Sequence, residues 1–230
     1  MNTGLSSSAA TDSLPTPSPE AAALSVELLA EMGAEIEAAG GALSFARFME
    51  LALYHPKHGY YTTAARPWGK DGDFLTAPTV SGWYGAVCAG LFGGISERCG
   101  EAFELVDLAA GDGTFLASVL GELEGRDQCA VTRAVAVERS PLRRTQIAAR
   151  LGAGAVEVRA AGVVPATVAG PAVVHASELF DAMPVHRVVA TAGGLMELVV
   201  GVVGDRLEWR ERPAPAALED YLCSHGIELA

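Results

Sequence analysis

Residues 103 to 113 read Phe-Glu-Leu-Val-Asp-Leu-Ala-Ala-Gly-Asp-Gly: an apolar run, an acid near its end, then a glycine turn. A second apolar run, Ala134 to Val137, also ends in an acid, Glu138. In this pattern a strand delivers Asp107 to its carboxyl end, and Gly111 and Gly113 let the backbone turn tightly and approach a ligand without Cβ interference. The helix expected from Thr114 points its N-terminal N–H groups at the same place. Glu138, at the end of the next strand, is placed to accept hydrogen bonds from ribose hydroxyls, as the acid of a dinucleotide fold does about 20 residues on. Ala109 stands where a first glycine would be, and no G-x-G-x-x-G follows. That disfavours NAD or FAD, whose pyrophosphate needs the full glycine set. A nucleoside ligand without phosphate tolerates a looser loop.

The 230-residue chain supports one large domain with a sizeable core, and half its residues are apolar. A net charge of −12 argues against a surface that tracks nucleic acid phosphates. It suits basic peptides, cationic cofactors or basic protein surfaces, or it serves solubility alone. Cys88, Cys99, Cys129 and Cys223 form no C-x-x-C pair, and the five histidines form no H-x-x-x-H pair. Neither a metal site nor a disulfide framework is expected, and the cysteines suit a reducing cytoplasm. The first forty residues hold no Lys or Arg, so no targeting segment is expected. Without a run of 18 apolar residues, no membrane span is expected either.

Residues 1–19, rich in Ser, Thr, Pro and Ala, are expected to form a disordered tail. A helical and loop region over 20–100 follows and contributes to the site. Leu24, Leu28, Leu29 and Met32 predict a helix over 20–39, stopped at Gly40-Gly41. Ser44 is an N-cap for a second helix, which His55-Pro56 ends. Residues 59–78 read as a long functional loop, and 83–95 as a buried helix. An α/β core is expected over 101–187, with strands at 103–108, 131–137, 155–158 and 171–175 and helices at 114–123 and 141–151. Alternating β and α with apolar strands predicts a parallel sheet covered on both faces. Right-handed crossovers order these strands 3-2-1-4, with 171–175 at an edge. Over 188–230 a β-hairpin is expected, with arms at 195–203 and 206–210 turned at Gly204-Asp205 and lying outside that sheet.

Four ordered segments share a pattern with one family. Gly72-Asp73-Phe74-Leu75-Thr76-Ala77-Pro78, with Ser81 and Gly85 beyond, is similar to GDF-x-T-S-P-x-x-S-x-x-x-G. Glu104 to Thr114 is similar to E-L-V-E-L-G-P-G-x-G-T, and Val137 to Arg143 with Gln146 to V-E-x-S-P-x-L-R-x-x-Q. Ser177 to His186 is similar to N-E-x-x-D-A-x-P-V-H. With Tyr54-His55-Pro56 and Gly59-Tyr60-Tyr61, these segments resemble the MidA-like methyltransferases, a family that includes the mitochondrial arginine methyltransferase of complex I assembly.

The resemblance implies a class I, Rossmann-like α/β fold, S-adenosylmethionine (SAM) as cofactor and a protein arginine side chain as acceptor. It implies cofactor contacts from Asp73, Thr76, Asp107, Ala109, Gly111, Gly113 and Glu138. Glu178 and Asp181, just past the strand at 171–175, are the implied catalytic acids that hold the guanidinium and receive its proton. Their local alternative is acid enrichment at a helix N-terminus, and His186 reads as structural. The sequence departs from the family at Ala109-Ala110, Thr79, Ala86 and Ser177, and no acid follows the strand at 155–158. With four core strands, the chain is expected to be a C-terminally incomplete class I sheet. Two rival readings remain: a catalytically inactive SAM-fold assembly or interaction factor, and a nicotinamide oxidoreductase. Neither the oligomeric state nor the acceptor protein follows from the sequence.

Overall fold

The computed structural model describes residues 16–63, 74, 76–124, 131–152, 154–161, 170–204 and 206–229. In chain order these form α1 (Pro19–Ala38), β1 (Leu43–Ser44), α2 (Phe45–Tyr54), the single turn α3 (Ala77–Val80), α4 (Trp83–Cys99), β2 (Phe103–Leu108), α5 (Thr114–Glu124), β3 (Val131–Val137) and α6 (Pro141–Leu151). Next come β4 (Glu157–Arg159), β5 (Ala172–Ala176), β6 (Arg187–Thr191), β7 (Gly194–Val203), β8 (Arg206–Pro213) and α7 (Ala216–Ser224). The chain divides into two compact units, residues 52–185 and residues 1–51 with 186–230. The expected tail falls mostly on residues 1–15, and the expected long loop mostly on 64–73; both stretches lie outside the described residues.

Residues 52–185 are built on a parallel sheet in the order β4-β3-β2-β5. This is the expected 3-2-1-4 arrangement. Alternation along β2 divides its side chains between two faces. Phe103 and Leu105 join Leu116 and Val119 of α5 and Phe92 of α4 in the larger apolar cluster. Val106 turns the other way, to Val135 and Val137. Helices α4 and α5 lie so close that a Cβ on Gly85 would overlap the Ser118 side chain. Helix α6 begins as its sequence dictates: Pro141 occupies the first turn and Ser140 Oγ accepts the Arg143 N–H at 3.4 Å. The third strand begins at Glu157, two residues later than expected. Four strands make up this sheet among the described residues, and β5 pairs with β2 alone.

Helix α4 departs from the buried helix expected at 83–95. Trp83, Val87 and Leu91 are all more than half exposed, whereas Ala89 and Phe92 are buried. The helix is apolar around most of its circumference, so hydrophobicity alone does not tell which face meets the sheet.

The other unit is an antiparallel sheet in the order β1-β7-β6, with β8 on β7. The expected hairpin is its β7–β8 pair, longer than anticipated at the β8 end. Gly204, at φ +63°, is part of its turn, while Asp205 lies outside the described residues. Ser44 does two jobs: it pairs in β1, and its Oγ accepts the Arg47 N–H at 3.1 Å at the start of α2. Gly201 leaves room for Arg210, whose guanidinium donates to the carbonyls of Gly41 and Val202. Glu197 is fully buried, and its carboxylate takes His186 Nδ1 at 2.7 Å and Arg212 Nε at 2.9 Å. His186 is therefore bound to a structural acid. Burial pushes the Glu197 carboxyl up, but these two hydrogen bonds hold it below the usual range. Among the described residues, no helix is long and apolar enough to cross a membrane.

Candidate active site

Within residues 52–185, a cavity of about 420 Å³ opens at the carboxyl ends of β2, β3 and β5. Open α/β sheets bind ligands on that edge, where strands end and helices begin. The first wall is the turn after β2. Ala109 and Gly111 both sit in the left-handed region, at φ +56° and +59°. For alanine this conformation costs roughly 1–2 kcal/mol. Gly113, at φ +81°, does another job: it is absent from the cavity wall, and a Cβ there would press on Ile147 of α6 at 3.3 Å. Asp112 closes the turn by capping α5, accepting the Thr114 N–H at 3.0 Å, and its other oxygen binds Arg150.

Glu138, at the end of β3, fastens that turn. One of its oxygens accepts the Gly111 N–H at 2.9 Å and the other the Ser140 N–H at 2.8 Å. Burial pushes its carboxyl above the usual range, opposed by these amides and by the charge of Arg143. Asp107 is buried too, and burial likewise raises it against the pull of His175. The register of β2 on β5 places the two side by side, with His175 Nδ1 2.7 Å from Asp107 Oδ1. The other ring nitrogen lies 3.0 Å from the Tyr84 hydroxyl, and Phe115 stacks on the ring at 3.7 Å.

The third wall follows β5. Glu178 holds a left-handed backbone, φ +53°, and Asp181 sits in a 3-10 turn over Phe180–Ala182. Non-glycine residues in this conformation cluster at functional sites. Tyr54 donates its hydroxyl to the Ala182 carbonyl at 2.7 Å, and the Arg139 guanidinium lies 3.9 Å over its ring. Tyr61 faces the acids: burial raises its phenol, and the charges of Asp181 and Glu178 raise it further.

Thr76, Asp107, Ala109, Gly111, Glu138, Glu178 and Asp181 thus all line one cavity. Asp73 lies outside the described residues, and Gly113 packs between helices. Sequence reasoning assigned no site role to His175, Tyr84, Tyr61 or Arg139. The pairing of His175 with Asp107 depends on strand register, which no local pattern records. Tyr61 stood inside a family motif, and its proximity to Glu178 and Asp181 was the missing signal.

Comparison with known proteins points the same way. A family model described as "Putative S-adenosyl-L-methionine-dependent methyltransferase" matches residues 91–229. The mitochondrial protein arginine methyltransferase NDUFAF7 of Mus musculus is 26% identical over 213 residues, 79% of this chain and 48% of that protein. Its homologue in Drosophila melanogaster is 28% identical over 187 residues, 70% of this chain and 42% of that protein. The chain spans about half the length of these curated relatives. A candidate methyl transferase from Burkholderia thailandensis, crystallised with S-adenosyl-homocysteine, superposes with a TM-score of 0.75 at 31% identity, covering 92% of this chain and 56% of its own. A β2–turn–α5 nucleotide half-site, Glu138 on its glycine loop and a family match over most of the chain agree: the chain belongs to the MidA-like family of SAM-dependent methyltransferases.

Proposed function

We propose that this chain binds SAM and transfers its methyl group to a guanidinium nitrogen of a protein arginine. One observation carries the reading: a single cavity has buried Asp107 and Glu138 beside its glycine turn, and Glu178 and Asp181 on the wall beyond β5. The residues fit the cofactor. The cavity volume falls within the roughly 300–1,000 Å³ of small-molecule sites. Two carboxyls pushed toward protonation by burial suit a ligand that brings positive charge and ribose hydroxyls. Glu138 and Asp107 would hold it, with the turn from Ala109 to Gly111 against its amino-acid part.

When bound, the cofactor supplies an electrophilic methyl carbon on a sulfonium. The chain's own groups do the rest. Arginine arrives protonated because its pKa is far above neutrality, so its nitrogen is a poor nucleophile unless a base takes its proton. Glu178 and Asp181 orient the guanidinium by charge-assisted hydrogen bonds and accept that proton as the new bond forms. Tyr61, beside the acids, offers an aromatic face to the cation. The arginine methyltransferase names of the mouse and fly relatives support the acceptor class.

Incubation with methyl-labelled SAM and arginine-containing protein substrates, followed by mass spectrometry, tests the reading. Label on arginine supports it. Label on another residue type overturns the acceptor assignment. Cofactor binding with no transfer to any protein favours the rival reading of an inactive SAM-fold interaction factor.

A further inference from the structure

His175 lines the cavity, and the proposed reaction leaves it without a role. Three elements grip its ring: Asp107 of β2 on Nδ1 at 2.7 Å, Tyr84 of α4 on Nε2 at 3.0 Å, and Phe115 of α5 stacked at 3.7 Å and 16°. A histidine that only filled space would not need both nitrogens engaged and one face covered. Its partner Asp107 is nearly buried, yet lines the cavity.

We propose that His175 is a positioning residue of the cofactor site: its Nδ1–H fixes the Asp107 carboxylate toward a cationic group of the bound cofactor, while Tyr84 and Phe115 fix the ring. The inference rests on the reading of this cavity as a SAM site. In this arrangement Nε2 accepts the Tyr84 hydroxyl proton, because the Asp107 carboxylate, an acceptor only, requires the tautomer carrying the proton on Nδ1. That proton goes to Asp107 Oδ1, leaving Oδ2 for the ligand. Without the histidine, a carboxyl at this depth favours its neutral form and loses its attraction for a cation. The arrangement repeats a general device, a buried carboxylate and an imidazole each setting the other's orientation.

Binding of S-adenosyl-homocysteine, whose only cation is its α-ammonium, reads this directly and needs no turnover. His175→Phe should weaken it more than tenfold. His175→Asn, which keeps an N–H near the Nδ1 position, should stay within about threefold of the wild type. The Phe variant's loss should also grow as pH falls, because Asp107, already raised by burial, takes up a proton more readily without its histidine. The other titratable groups around Asp107 do not produce that difference. Burial raises the phenol of Tyr84 and the thiol of Cys88, and Glu138 on the adjoining strand end titrates alike in both proteins.

Nitrogen-15 NMR of the wild type supplies a readout independent of any substitution, and the proposal requires a protonated Nδ1 and an unprotonated Nε2. The reverse tautomer overturns it. So does a folded Phe variant with unchanged affinity, an Asn variant as weak as the Phe one, or a loss that does not vary with pH. If the Phe variant does not fold, Tyr84→Phe replaces it and should weaken binding twofold to fivefold; unchanged affinity overturns the proposal. A wild type that does not bind S-adenosyl-homocysteine overturns the SAM reading together with this one. Wild-type binding with indifferent variants overturns this inference alone.

Discussion

The carboxylate of Glu138 accepts the backbone N–H of Gly111 at 2.9 Å, so the acid ending β3 holds the glycine turn that follows β2. One side chain thus shapes the loop and faces the cavity. Replacing it removes both contributions. Glu138→Ala should weaken SAM binding by about 1.5–3 kcal/mol, the range for charge-assisted hydrogen bonds, and lower stability by about 1–3 kcal/mol through two orphaned amides. Calorimetric titration and urea unfolding measure the two separately. A folded variant with unchanged affinity would remove Glu138 from the site.

Ala109 occupies a left-handed conformation that suits glycine. Ala109→Gly should relieve roughly 1–2 kcal/mol of backbone strain, offset in part by the 0.5–1 kcal/mol or so that glycine loses in chain entropy. The expected net is a stabilisation of about 0.5 kcal/mol, read as a higher urea midpoint at constant slope. Gly111→Ala, at φ +59°, should shift the midpoint the other way. Equal effects of the two changes would contradict the strain argument.

Burial pushes Asp107 and Glu138 above the ordinary carboxylate range. The folded protein therefore holds protons that the unfolded chain has released. The stability tied to these two groups is present below their unfolded pKa, near about 4, and is lost as pH rises through the folded values. A bound cation reverses the pull and lowers both pKa values. SAM binding should then release protons as pH rises above the ordinary carboxylate range, and affinity should climb with pH there. Titrations in two buffers of different ionisation enthalpy measure the proton count, and proton uptake would refute the assignment.

In the antiparallel unit, Glu197 is buried beneath His186 and Arg212. Because its carboxyl is held below the usual range, its stabilising contribution is present above the unfolded pKa and fades as pH falls through the folded one. Glu197→Gln should lower stability by about 1–2 kcal/mol near neutrality, since both partners keep access to water. The deficit should shrink in acid. Denaturant melts at pH 7 and pH 4 make the comparison.

What could be read from the sequence follows from how locally each feature is encoded. Strands β2 and β3 each carry an apolar run closed by an acid, Leu105-Val106 before Asp107 and Ala134 to Val137 before Glu138, so their place and partnership were plain. The residues quoted for the β7–β8 hairpin flank a glycine turn, and that too was legible. Strand β6 was not: Val188 alone is half-buried, while Arg187, Val189, Ala190 and Thr191 are exposed, and its identity comes from pairing with β7. Strand β1 is two residues long and exists only through Val199 and Val200. At the site, the acids and glycines announced themselves through spacing along the chain. The Asp107–His175–Tyr84 chain spans three elements, and strand register together with helix docking brings it together.

In the proposed function, one cavity has a cofactor end at Asp107 and Glu138 and an acceptor end at Glu178 and Asp181. Calorimetric titration of SAM into the wild type, Glu138→Ala and the double variant Glu178→Gln/Asp181→Asn tests that division most directly. The wild type should bind with micromolar affinity, the Glu138 variant at least tenfold more weakly, and the double variant within about threefold of the wild type, less than the tenfold that corresponds to 1.4 kcal/mol. No wild-type binding, or affinity lost in the double variant and kept in Glu138→Ala, would contradict it.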